Sequence, residues 1–154
     1  ANIYNYFIRR LFFVPSLLHQ CYFDFFSNHP IDLFRQSFIG KLGFTSPYDN
    51  QIQKIISSVY FNTPQMLANN GLFSDAFMNL GSIGVVVMPM IICIFLRFLD
   101  YCSKGINSFY LLTIMISVSY ILISSSFFTV LLTHGFLLLC LIMKFVIPRD
   151  IHKE

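Results

Sequence analysis

Residues 76–96 read AFMNLGSIGVVVMPMIICIFL, a run with no charged side chain that Arg97 ends. An α-helix rises about 1.5 Å per residue and needs about 20 apolar residues to cross the hydrocarbon core of a bilayer. The stretch therefore predicts a membrane-spanning helix. Downstream, residues 105–143 carry no formal charge, His134 being neutral. That run is too long for one helix across one bilayer. It divides into spans over 106–123 and 127–146, with Ser124, Ser125 and Ser126 as the outer turn, and one unbroken helix is the alternative. Residues 97–105 then form a loop and 147–154 a tail. The expected fold class is an all-α integral membrane protein, with three C-terminal transmembrane helices preceded by a long helical segment over 1–75.

Composition agrees with lipid as the main solvent. Of 154 residues 56% are hydrophobic and 11% charged, where a soluble domain carries about 25% charged residues. The net charge of +3 is spread without a basic stripe, so nucleic acid is excluded as a partner. Cys21, Cys93, Cys102 and Cys140 stand far apart with no CxxC pair, which predicts neither a disulfide nor a metal centre. No initiator Met or signal peptide pattern opens the chain at Ala1, and a missing upstream portion is the expectation.

Arg97 and Lys104 flank the loop, Lys144, Arg149 and Lys153 follow the last span, and the serine turn has no basic residue. By the positive-inside rule loop and tail are cytoplasmic, and residues 1–75 lie outside. Tyr4, Tyr6, Phe7, Phe12, Phe13, Tyr22, Phe23, Phe25 and Phe26 crowd the beginning of that outer segment. Arg9 and Arg10 make a central transmembrane position expensive there, so an interfacial or re-entrant helix is expected. Around Gln51 to Tyr60, the spacing of Ile52, Ile55, Ile56 and Val59 predicts one apolar helix face. Pro89 is expected to kink the first span.

Polar residues collect where the outer segment meets that span: Asn69, Asn70, Gly71, Ser74, Asp75, Asn79, Ser82 and Gly84. Asp75, Asn79 and Ser82 recur at i, i+4 and i+7, one helix face. Two readings stand side by side. In one, Ser74 caps the helix, Asp75 offsets its positive end, and Gly81 and Gly84 let another helix approach. In the other, the residues form a site at the outer face, with Asp75 as acid or base. Arg9 and Arg10 are interfacial anchors or ligands of an anionic head group, since guanidinium matches phosphate bidentately. His134 must find a hydrogen-bond partner within the last span, either a neighbouring helix or a ligand.

Several ordered patches carry a resemblance: Arg10, Phe12, Pro15 and Leu17; Tyr22 with Asp24, Phe25, Phe26 and Ser27; Ser46-Pro47-Tyr48; Ala68-Asn69-Asn70-Gly71 with Asp75, Phe77, Asn79, Gly81 and Gly84; and Phe127 through Thr133-His134-Gly135. Together they resemble the later outer loop and last spans of bacterial O-antigen and capsule repeat-unit polymerases, often called Wzy. Family members are larger, so the resemblance implies a C-terminal fragment. The Arg-x10-Gly pattern of some members is absent, because Gln20, Cys21 and Ser46 stand at the glycine positions. His29 and Gly40 have the His-x10-Gly spacing associated with O-antigen ligases.

The resemblance implies glycosyl transfer outside the bacterial cytoplasmic membrane, from a polyprenyl-diphosphate-linked glycan to a hydroxyl of the next lipid-linked repeat unit. Diphosphate is a good leaving group whose developing charge needs stabilising, a role for Arg9, Arg10 and Arg35, with Asn70 and Asn79 binding substrate. Asp75, His29 and His134 are the candidate bases. No Asp-x-Asp pair is present, so neither a metal nor another cofactor is implied. Membrane lipid and a chain-length regulator protein are the further expected partners. A flippase or transporter segment, the related ligase and a non-catalytic scaffold are the alternatives.

Overall fold

The computed structural model describes residues 3–147, the side chain of Phe38 excepted. The part of the tail with Arg149 and Lys153 lies outside the described residues. Every regular element described is helical. Helix α1 (Ile3–Ile8) passes through a π-helical turn (Arg9–Phe13) into α2 (Val14–Asn28), with helical dihedrals at both joints. Pro15 explains the turn. A proline inside a helix lacks an N–H and clashes with the carbonyl four residues back. The wider turn, closed by the Val14 N–H on the Arg9 carbonyl, makes room for it. The run ends where His29 turns extended before Pro30.

Helix α2 buries Cys21, Tyr22, Phe25 and Phe26 against Ile52 and Ile56 of α3 (Ile52–Phe61), together with Met78. The apolar face expected on α3 is narrower than its spacing suggests: Ser57 is buried with Ile52 and Ile56, while Val59 is 60% exposed. Between α2 and α3 the chain passes a 3-10 turn (Phe38–Leu42). It also places Leu33 and Phe34 at φ of 55° and 59°, a left-handed conformation that costs such residues about 1–3 kcal/mol each.

Helix α4 (Leu72–Ser103) is the axis of the molecule. Its dihedrals leave the helical region at Gly81 (φ 62°, ψ −150°) and not at Pro89, so the kink expected at the proline lies eight residues earlier. Only glycine adopts that conformation at little cost. A Cβ at Gly84 would lie 2.2 Å from the Ala76 carbonyl oxygen. The small residue thus admits the preceding segment of its own helix, where a neighbouring helix was expected. The break also removes Ser82 from the face of Asp75 and Asn79, leaving it exposed.

Helices α5 (Ser108–Ser124) and α6 (Phe136–Phe145) complete the fold, with a π-helical turn (Thr129–Thr133) between them. Where one span was expected over 127–146, Gly135 at φ 71° interrupts the helix. Among the described residues only α4 is long and apolar enough to cross a membrane; α5 and α6 are apolar but have 17 and 10 residues. Met88, Leu99 and Cys102 of α4 pack with Val118, Phe127, Val130, Phe136, Cys140 and Met143. On its other side α4 exposes Ile83, Val86, Met90 and Ile94, an apolar stripe at helical spacing.

Candidate functional site

The first turns of α4 carry a buried polar network. Asp75, 4% exposed, accepts hydrogen bonds at Oδ1 from Asn70 Nδ2 and Asn79 Nδ2, both at 3.1 Å, and at Oδ2 from the Phe127 backbone N–H at 3.0 Å. Asn79 lies one turn on, which brings its Nδ2 also to the Asp75 carbonyl at 2.8 Å. Its Oδ1 accepts the Phe34 N–H at 2.6 Å, tying down the left-handed loop. Asp32, 1% exposed, continues the network: it accepts from Ser46 Oγ at 2.6 Å and the Gln36 N–H at 2.8 Å, and its own N–H donates to the Met78 carbonyl at 2.9 Å.

The capping reading changes accordingly. Gly71 is the N-cap of α4 and no side chain caps it, while Ser74 Oγ donates to the Gly71 carbonyl at 2.9 Å. Asp75 instead serves the helical segment that begins at Phe127. Burial pushes its carboxyl up to about 6, and the bonds from Phe127, Asn70 and Asn79 pull the other way. Among the described residues no buried side-chain nitrogen or oxygen lacks a partner.

Beside this network lies a polar cleft of 420 Å³, lined by Asp75, Asn70, Asn79 and Asp32 with Gln36, Gln53, Lys41, Ser126, Thr129 and Phe128. Amides, hydroxyls and a ring are what a polyhydroxyl ligand can bind through hydrogen bonds and ring faces. Gln36 is itself positioned by Asn50 O at 2.7 Å and the Ile52 N–H at 2.9 Å.

A second, apolar hollow of 920 Å³ opens between the N-terminal helical run and α5, lined by Tyr6, Phe7, Leu11 and Pro15 on one side and Ile116, Tyr120 and Ile123 on the other. The run thus stands beside α5. Arg10 lines this groove, while Arg9 lines a separate hollow with Asn5, Phe13 and Gln20.

Asp75, Asn70 and Asn79 of the expected site residues therefore come together, with Arg10 in the adjoining groove. Arg35 lies between two cleft-lining residues without lining the cleft, its carbonyl against Gly40. His29 is exposed and stacks on Phe25 with ring centroids 4.0 Å apart, its Nδ1 2.8 Å from the Phe25 carbonyl. His134 Nε2 meets Ser125 Oγ at 3.0 Å and lines a pocket between α5 and α6. Neither histidine lines the cleft. Asp32, Gln36 and His19 are residues that sequence reasoning missed. No spacing marked Asp32, because an Asp side chain in a turn ordinarily bonds the backbone two residues on and here it takes the Gln36 N–H four residues on.

Comparison with protein-family models, with curated proteins and with solved structures finds no match.

Proposed function

We propose that the chain belongs to a membrane glycosyltransferase that polymerises polyprenyl-diphosphate-linked repeat units at the outer face of the bacterial cytoplasmic membrane. In this reading α4 beyond Gly81 crosses the bilayer, as do α5 and the segment from Phe127 through α6. The outward apolar stripe of α4, with Ile83 72% and Ile94 68% exposed, suits lipid or further apolar helices. Asp75 precedes Gly81 and stands at the outer end. The observation that carries the function is the polar cleft beside an apolar groove that holds Arg10. An amphiphile with a glycan head and a hydrocarbon chain needs both.

The acceptor hydroxyl oxygen attacks the anomeric carbon, the carbon–oxygen bond to diphosphate breaks, and diphosphate leaves with the bonding pair. The hydroxyl proton passes to the departing diphosphate, whose oxygen gains the bonding pair and becomes the stronger base. Arg10 stabilises the departing charge. The cleft amides and hydroxyls orient the glycans. Both Asp75 oxygens are engaged by donors, which favours a positioning role over proton transfer; Asn70 and Asn79 are held in place by it.

In cells that make long polymer, Arg10→Ala in the full reading frame is expected to leave single repeat units while the protein still accumulates in the membrane. Arg10→Lys recovers little, because ammonium lacks the planar fork of guanidinium. Long chains persisting in Arg10→Ala would sink the assignment. Failure of the lipid-linked unit to reach the outer face would point to transport.

Orientation has its own test. Cys102, expected to report the cytoplasmic side, is 2% exposed and packs beside Cys140, so a thiol reagent reaches it poorly from either side. Lys104 is exposed at the C-cap of α4. Lys104→Cys is expected to react with a membrane-impermeant maleimide only after the cells are opened. Labelling in intact cells would invert the topology.

A further inference from the structure

Asp75 holds three donors on two oxygens, and the three differ in their freedom to turn. The Phe127 N–H on Oδ2 is backbone, and Asn79 is fixed twice more, by the Phe34 N–H on its Oδ1 and by the Asp75 carbonyl on its Nδ2. Neither can rotate. Asn70 donates through Nδ2 to Asp75 Oδ1 at 3.1 Å, while among the described residues nothing donates to its own Oδ1. Every buried side-chain oxygen among those residues has a partner, so Asn70 Oδ1 opens on the cleft that Asn70 lines. This amide can turn over.

A protonated carboxyl gains one O–H donor and keeps acceptor capacity on both oxygens. On Oδ2 the proton would face the Phe127 N–H, a donor against a donor. On Oδ1 it faces Asn70, and turning that amide over brings an acceptor to meet it. Oδ1 then donates to Asn70 Oδ1 while still accepting from Asn79 Nδ2, and Oδ2 keeps the Phe127 N–H. The network survives whole. We infer that protonation of Asp75 reverses the amide of Asn70, so that the cleft wall presents an acceptor there when the carboxyl is charged and a donor when it is neutral. Asn70 is thereby a specificity-determining residue of the cleft. A hydroxyl or ammonium group meets its Oδ1 in the one state, and a carbonyl or anionic oxygen meets its Nδ2 in the other. The reversal depends on the network alone, whatever the cleft binds.

Burial pushes the Asp75 carboxyl up to about 6, so both states are populated close to neutral pH. Asp32 in the neighbouring loop is a like charge that adds to the rise. Tyr22 of α2 also faces Asp75; burial and that carboxylate push its phenol up, and it stays a neutral donor to the Ala68 carbonyl at 2.7 Å. His19 of α2 lies against Gly71, and Lys41 lines the cleft. The cleft-lining side chains of α3 and of the Phe127 segment are amides, hydroxyls and apolar groups, none of which titrates.

The test follows the full chain, with isotope-labelled asparagine, by NMR in phosphatidylcholine nanodiscs from about pH 5 to about pH 8. The infrared carbonyl stretch of the protonated carboxyl reports Asp75 over the same range. The Asn70 amide signal is expected to move with the midpoint of that band. Its Asp75-bonded Nδ2 proton, protected from exchange with water at the upper pH, is expected to lose protection by about tenfold or more at the lower, the scale of one hydrogen bond. Base-catalysed exchange runs the opposite way and slows as pH falls. Asp32→Asn removes the like charge yet keeps both Asp32 bonds, because its amide oxygen takes the Gln36 N–H and its NH₂ meets the Ser46 hydroxyl, which can accept. Both midpoints should move down together. In Asp75→Asn the oxygen stays on the Phe127 N–H and the NH₂ faces Asn70, so that amide should hold its reversed position at every pH. An Asn70 signal that ignores the Asp75 midpoint, or one that shifts while its proton stays protected, overturns the inference. An Asp75→Asn protein whose Asn70 still follows pH does the same. Should Asp75→Asn not fold, the wild type and Asp32→Asn decide the matter by the same signals.

Discussion

Asp75→Asn is expected to destabilise the packing of the first turns of α4 on the Phe127 segment by about 2–4 kcal/mol, the cost of one or two buried donors losing their acceptor. All three side-chain contacts of Asp75 are donors: Asn70 Nδ2, Asn79 Nδ2 and the Phe127 N–H. An asparagine supplies one oxygen and one NH₂, so in either orientation a donor faces a donor near 3 Å. Asn70 can turn its amide over to compensate. Asn79 cannot, because its Oδ1 holds the Phe34 N–H and its Nδ2 holds the Asp75 carbonyl. The Phe127 N–H is backbone and cannot turn at all. Thermal unfolding of the variant in detergent measures the effect, with Asp75→Ala beside it. An Asp75→Asn protein that melts with the wild type would show that the network contributes little, and would return the residue to chemistry.

Gly71→Ala is expected to be worse than its small volume suggests, by about 3 kcal/mol or more, at or beyond the upper end of ordinary overpacking. The backbone at Gly71 (φ −93°, ψ −179°) suits any residue, so the dihedrals cost nothing. The whole effect comes from space. The new Cβ would meet the Ile123 carbonyl at 2.2 Å and the His19 ring at 2.6 Å, and a carbonyl at the end of α5 cannot swing away as a side-chain tip does. Gly43→Ala is the control, since Gly43 has φ +97° and nothing within 4 Å of a built Cβ. It should cost only the left-handed conformation, about 1–2 kcal/mol. His19→Ala should rescue Gly71→Ala only in part, because the Ile123 carbonyl remains. Equal melting temperatures for Gly71→Ala and Gly43→Ala would show that the Ile123 carbonyl and the His19 ring give way at little cost.

At these two residues local sequence pattern stops and packing takes over. Helical class was legible because it depends on short-range pattern: long uncharged apolar runs, and α3 by its isoleucine spacing. The nearness of Asp75 to Asn79 was legible for the same reason, since i and i+4 share a helix face. The sequence by itself thus determined that the chain is helical and that polar residues gather at the start of α4.

Tertiary structure decided what that gathering does. The third donor to Asp75 comes from Phe127, 52 residues away, and that bond makes the carboxylate a tie between helices. His19 and Gly71 lie far apart in the chain and meet only because α2 packs on α4. Ser82 left the expected face, and the bend fell at Gly81 instead of Pro89, because a proline can keep helical dihedrals while a glycine at φ 62° cannot. Local periodicity records which face of each helix is apolar. It carries no record of which backbone N–H will meet a carboxylate across the bundle, because that depends on how all the faces pack at once.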